Sequence, residues 1–60
     1  GNGVEMMTRE SEDKVWLFVI NHTNDEQVYH LHGRYTLLEG EREEMLKPYE
    51  VQLFVGNKHK

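Results

Sequence analysis

The sequence predicts an all-β fold, a small antiparallel β-sandwich or barrel-like domain of five to six strands in which residues 1–60 form one unit. Three observations predict it. Val15 to Ile20 (VWLFVI) is a run of six large apolar residues, rich in β-branched and aromatic side chains and too short for a buried helix. Polar and apolar side chains alternate with period two near Gln27–His32 and Val51–Val55. Turn-forming clusters recur about every 8–12 residues, the spacing of small sandwiches and barrels.

Each element follows from local composition. Val4-Glu5-Met6 begins a first strand that reaches Arg9, and Ser11-Glu12-Asp13-Lys14 is a polar turn. Val15–Asn21 is the second strand. His22–Glu26 is a polar connection, and Asn21 to Asp25 reads as a hairpin turn because Asn, Asp and Thr side chains bond nearby backbone. Gln27–His32 is a third strand closed by Gly33. Arg34–Leu38 is a fourth, ended by Glu39-Gly40, and Arg42–Leu46 is a weaker fifth. Lys47-Pro48-Tyr49-Glu50 breaks the ladder because proline lacks a donor. Val51–Val55 is the last strand, with Val51, Leu53 and Val55 on one side and Gln52 and Phe54 on the other. The alternative for Leu37–Lys47 is a helix, since Glu, Met and Leu favour one; Gly40 and the poor apolar spacing argue against it.

The central run poses a problem of burial. Val15, Leu17 and Val19 face one way and Trp16, Phe18 and Ile20 the other. A strand that is apolar on both faces is normally covered on both. A 60-residue chain buries only about 60% of its unfolded surface. The sheet must therefore close on itself or meet another domain. Trp16, amid apolar neighbours, is expected in the core.

Composition narrows the function. Seven basic residues face eleven acidic ones, for a net charge of −4. That balance argues against a nucleic-acid partner, which needs clustered Lys and Arg. The basic cluster Lys58-His59-Lys60 is terminal, where chains fray. No run approaches the roughly 18 apolar residues of a membrane span, and none suits a signal peptide. The chain has no Cys, so it has no disulfides or thiolate ligands, and it suits a reducing, cytoplasmic setting. Gly1-Asn2-Gly3 reads as an internal segment or a cloning remnant, and the chain as a piece of a longer one.

Candidate chemistry is thin. His30 and His32, at i and i+2 on one strand face, could reach one Zn²⁺ if His22, Asp25 or Glu26 folded back to add a ligand. The simpler reading makes them the solvent face of an edge strand whose Tyr29 and Leu31 point inward. Asp25, Glu26, Glu39, Glu41, Glu43 and Glu44 lie in polar runs with no apolar frame to shift a pKa for glycoside cleavage. They suit a solvated edge that resists aggregation. Ser11, Thr8, Thr23 and Thr36 lack a nucleophile elbow. Gly1, Gly3, Gly33, Gly40 and Gly56 form no phosphate loop. Trp16, Tyr29, Tyr35 and Tyr49 are the aromatics that could stack on sugar. We expect no catalytic, cofactor or metal residue in the chain.

Four segments carry a family resemblance. Leu17-Phe18-Val19-Ile20-Asn21-His22-Thr23 resembles the LFLLNHT-like strand and turn in the small C-terminal domain of family 42 glycoside hydrolases, the bacterial β-galactosidases. Val4-Glu5-Met6 with Thr8-Arg9 resembles that domain's first strand. Leu37-Leu38-Glu39-Gly40-Glu41 is similar to its DLLTGE segment, and Leu46-Lys47-Pro48-Tyr49-Glu50-Val51-Gln52-Leu53 to its closing L-x-PYGVAVL run. The four fall in order from Val4 to Val55; Glu50 stands where the family often has Gly, and Gln27–Tyr35 is not diagnostic.

The resemblance implies a parent enzyme that hydrolyses terminal β-galactosides with retention, through two glutamates in a TIM barrel that have no counterpart here. It implies a small antiparallel β-domain whose partners are the other domains of that parent. The Asn21-His22-Thr23 sequon is then coincidental in a bacterial chain. The expected role is a non-catalytic accessory domain that packs on and stabilises the parent. The alternatives are a carbohydrate-binding module using exposed aromatics, or a free-standing small β-barrel binding protein.

Overall fold

The apolar run lies inside a sheet, paired along both edges. In a computed structural model describing residues 3–58, the chain forms β1 (Val4–Glu10), β2 (Lys14–Asn21), β3 (Gln27–Val28), β4 (Thr36–Glu39), β5 (Met45–Leu46) and β6 (Val51–Asn57). Four of them make one antiparallel sheet in the order β1-β2-β6-β4, and β3 pairs with β5 in a second. Expectations for Gly1, Asn2, His59 and Lys60 lie outside the described residues. Lys58 is tied back: its N–H donates to the Asp13 carbonyl at 2.9 Å, and its ammonium lies 3.2 Å from Glu10.

The fold class is the one the sequence predicts, in its open sandwich form. The two sheets do not close into a barrel. The Leu37–Lys47 segment forms β4, a turn and β5, with no helix among the described residues. Three strands are shorter than, or shifted from, their predicted spans. The third ends at Val28 instead of His32, the fifth begins at Met45 instead of Arg42, and the fourth moves from Arg34–Leu38 to Thr36–Glu39. The reason lies in Glu44. Its backbone is left-handed (φ 65°), so the chain turns there and the β3–β5 ladder stops. Beyond it, the Leu31 N–H donates to the Glu44 carboxylate at 2.8 Å instead of to a partner strand.

The connection from Asn21 to Asp25 is not a hairpin turn, which corrects the sequence reading. Both edges of β2 are already occupied, by β1 and β6. The chain therefore leaves the sheet after Asn21 and crosses to the second layer.

That crossing sets the core. Leu17 and Val19 of β2 and Phe54 of β6 meet Leu46 and Tyr29 from the second layer, and all five are buried. Val4, Leu31, Tyr35 and Leu37 pack around them. Tyr35 meets Phe54 edge to face, with centroids 6.3 Å apart. The two-stranded layer is narrow, so Met6, opposite Val19 on β1, stays 47% exposed. On β4 a bulge separates Leu37, opposite Phe54, from Glu39, opposite Leu53; Leu38 lies between them, 49% exposed.

Trp16 is a second correction. It is not in the core but on the opposite face of the sheet, half-buried beside Phe18 and Ile20. Burial on the inner face makes Phe54 the more sensitive aromatic. Phe54→Ala should cost about 3–5 kcal/mol, the range for a truncated core aromatic, against a total of about 5–15 kcal/mol for a typical domain. Phe18→Ala should cost less than half as much, because its ring is already partly wet. Urea unfolding midpoints of the two variants check this, and equal losses would contradict the assignment of the faces.

Candidate functional site

Most groups that looked reactive in the sequence are exposed, and a few are tied into turns or surface pairs. His30 and His32 are both exposed in the irregular segment after β3, with Tyr29 turned inward and Leu31 half-buried. No group of three or more His, Asp or Glu residues among the described residues is placed to hold a metal. His22 is drawn to β1, where its Nε2 lies 2.7 Å from Glu5 Oε1. Asp25 contributes its carbonyl to the turn, accepting from the Asn21 amide. Glu26 is exposed.

The acidic run is dispersed in the same way. Glu41 pairs with Lys47 at 2.8 Å on the surface, and Glu44 caps the Leu31 N–H. Glu39 and Glu43 are exposed. Thr23 Oγ1 donates to Asn21 Oδ1 at 2.7 Å, so it is part of the turn, while Thr8, Ser11 and Thr36 are exposed. Of these residues Thr36, Glu43 and Glu44 line one open cavity, together with Lys14 and Arg34; the rest are dispersed over the surface.

The aromatic candidates are also separated. Tyr29 is buried in the core, Trp16 is on the outer face, Tyr35 packs against Phe54, and Tyr49 is 65% exposed in the turn before β6. Burial pushes the Tyr29 phenol above its ordinary range; a backbone hydrogen bond from Glu44 works against this, and the carboxylates of Glu43, Glu44 and Glu50 add to it.

Two fully buried carboxamides are central: Asn21, whose side chain bonds nearby backbone as the sequence suggests, and Gln52, which the sequence reading passed over. The Asn21 amide donates to the carbonyls of Asp25 (2.8 Å) and Lys47 (2.9 Å), and its oxygen accepts from the Thr23 N–H and hydroxyl. Gln52 accepts from the Tyr29 hydroxyl at 2.5 Å and donates to the carbonyls of Arg42 (2.7 Å) and Met45 (3.0 Å). Among the described residues no buried side-chain nitrogen or oxygen lacks a partner. The available signal was Gln52 sharing a strand face with Phe54.

One surface suited to recognition is the outer face of the large sheet. Register places Trp16, Phe18 and Ile20 of β2 opposite Val55, Leu53 and Val51 of β6, with Met7 of β1 beside Phe18. Five of these seven side chains are half-buried, and Val51 (51%) and Met7 (39%) are exposed. Both strands of the second layer lie on the other face. A contiguous apolar patch of this kind marks an interaction surface.

Two predictions follow from the buried groups. Asn21→Asp would set a carboxylate against two carbonyls and lose both amide donors, at a cost of roughly 3 kcal/mol; Asn21→Gly leaves the carbonyls unpaired but uncharged and should cost less, which chemical denaturation can resolve. The Tyr29 phenol is held neutral in the fold, so its contribution is complete below the ordinary value of 10.0 and is lost as pH rises through the higher folded value. Wild-type stability should therefore fall above about pH 10 more steeply than that of Tyr29→Phe, as thermal melts across pH 8–11 would show.

The family model for the beta-galactosidase C-terminal domain matches residues 3–56. No curated protein and no solved structure matches the chain.

Proposed function

The chain belongs to the β-galactosidase C-terminal domain family, and from that premise we propose that it is a non-catalytic module that packs on the other domains of a β-galactoside-hydrolysing enzyme and stabilises them. The observation that carries this reading is the outer face. Trp16, Phe18, Ile20, Leu53 and Val55 form an apolar surface that the chain itself leaves half-covered. Full burial of a side chain of this size contributes about 1.5–3 kcal/mol, so covering the face offers several kcal/mol to whichever domain covers it. The occupant is the parent's own polypeptide, held at high effective concentration by covalent linkage.

Catalysis belongs elsewhere in such a parent. Glu43 and Glu44 line one cavity but are exposed to solvent, and a pair of catalytic carboxyls needs a water-excluding, pKa-shifting pocket. The net charge of −4 disfavours nucleic acid as a partner. Among the described residues no helix is long and apolar enough to cross a membrane. A chain without Cys fits the reducing cytoplasm, where we place the enzyme.

The test is to remove residues 3–56 from the full-length gene product. The truncated enzyme should keep its kcat/KM at low temperature and lose at least a few degrees from its unfolding temperature. The double variant Phe18→Glu/Leu53→Glu, which leaves the domain in place but charges its outer face, should reproduce much of that loss. An unchanged unfolding temperature in both would overturn the stabilising role. Hydrolysis of a chromogenic β-galactoside by the 60-residue chain alone would overturn the non-catalytic one.

A further inference from the structure

A second feature borders the docking face, with which it shares Val55, where the start of β2, the end of β6 and the segment before β4 meet the turn at Glu43–Glu44. A cavity of about 610 Å³ opens there, within the size range of small-molecule sites. Its polar lining includes Lys14, Arg34, Glu43, Glu44 and Asn57, with Tyr35 at its wall. Two of these charges have structural work: Lys14 Nζ donates to Asn57 Oδ1 at 3.2 Å, and Glu44 accepts from the Leu31 N–H. The other two do not. The Arg34 guanidinium and the Glu43 carboxylate make no hydrogen bond or ion pair among the described residues, not even with each other.

Tyr35 is set in place before any ligand arrives. A Cβ on Gly56 would stand 3.0 Å from its Cδ1, and one on Gly33 would stand 3.4 Å from its Cε2, on the opposite edge of the ring. The missing side chain of Gly56 leaves room for the ring, Gly33 lies at ordinary contact distance on its other edge, and its contact with Phe54 anchors it to the core. A preset aromatic wall lowers the ordering cost of binding.

The charges choose the ligand. An anion would meet Glu43 and Glu44, a cation would meet Lys14 and Arg34, and a purely apolar molecule would strip water from all four. A neutral polyol, whose hydroxyls donate and accept at once, satisfies a free guanidinium and a free carboxylate together, and the C–H faces of a pyranose suit an aromatic wall. We propose that this cavity is a saccharide-binding site for a neutral mono- or disaccharide, with Arg34 donating, Glu43 accepting and Tyr35 supplying the apolar wall.

The test is titration of the ¹⁵N-labelled 60-residue chain with galactose, with lactose and, as an anionic control, with inorganic phosphate. Either sugar should produce saturable shifts at the amides of Gly33, Arg34, Tyr35, Gly56 and Asn57, with a dissociation constant of roughly 1–10 mM. Arg34→Ala and Glu43→Gln change exposed side chains, should keep the wild-type spectrum elsewhere, and should each weaken binding at least about fivefold. Absence of saturable shifts with both sugars would overturn the proposal. So would saturation by phosphate at the same amides, or unchanged sugar affinity in both variants. Because the readout is local to this cavity, none of these outcomes bears on the outer face or on the stability of a parent enzyme.

Discussion

The fold depends on the buried carboxamide of Gln52. The second layer has only two strands of two residues each, too little ladder to stand alone in water. Gln52 reaches from the large sheet into that layer, accepts from Tyr29 beside β3 and donates to the carbonyls of Arg42 and Met45 before and at the start of β5. One side chain thus satisfies polar groups on both sides of the small layer, in an interior where unpaired groups are costly. Gly40 belongs to the same arrangement: its left-handed φ of 132° carries the chain past Gln52, and a Cβ there would stand 2.7 Å from Gln52 Cγ. Asn21 does the equivalent work at the other end, tying the crossover to Lys47 ahead of β6.

This division of labour explains why the chain can be so small. Among the described residues five buried hydrophobic side chains make a thin core, and a chain without Cys has no disulfide to assist it. Hydrogen-bonded amides specify where the second layer sits, and apolar contact from Leu46 and Tyr29 then seals it. A purely apolar interface of this size would leave the layer free to slide. The polar groups fix its register because each has one place where all its partners are met.

The same economy shapes what the domain offers to others. Its one small layer covers Leu17, Val19 and Phe54 and leaves Trp16, Phe18 and Ile20 half-buried on the other face. That face suits the docking role proposed above. Reactive side chains are meanwhile held in structural roles: Glu44 ends a ladder, His22 meets Glu5, and Thr23 shapes a turn. Arg34 and Glu43, like Glu26, His30, His32 and Glu39, have no such role, and these two line one cavity.

Much of this was legible in the residues. The β-branched run from Val15, the alternation near the C-terminus and the polar breaks determine an all-β chain, because period and turn chemistry are local properties. The order of short segments from Val4 to Val55 also carried the family. Period two defines two faces for every strand but not which of them meets the second layer. Val51, Leu53 and Val55 read as the more apolar side of β6, yet Gln52 and Phe54 are the ones inside. That choice was made by where Tyr29, Leu46 and the Arg42 and Met45 carbonyls arrive in space, and such long-range partners leave no mark in local periodicity. The sequence by itself determined strands, turns and kinship; only the tertiary structure decided which face is hidden, because burial is a property of pairs of segments and not of either one alone.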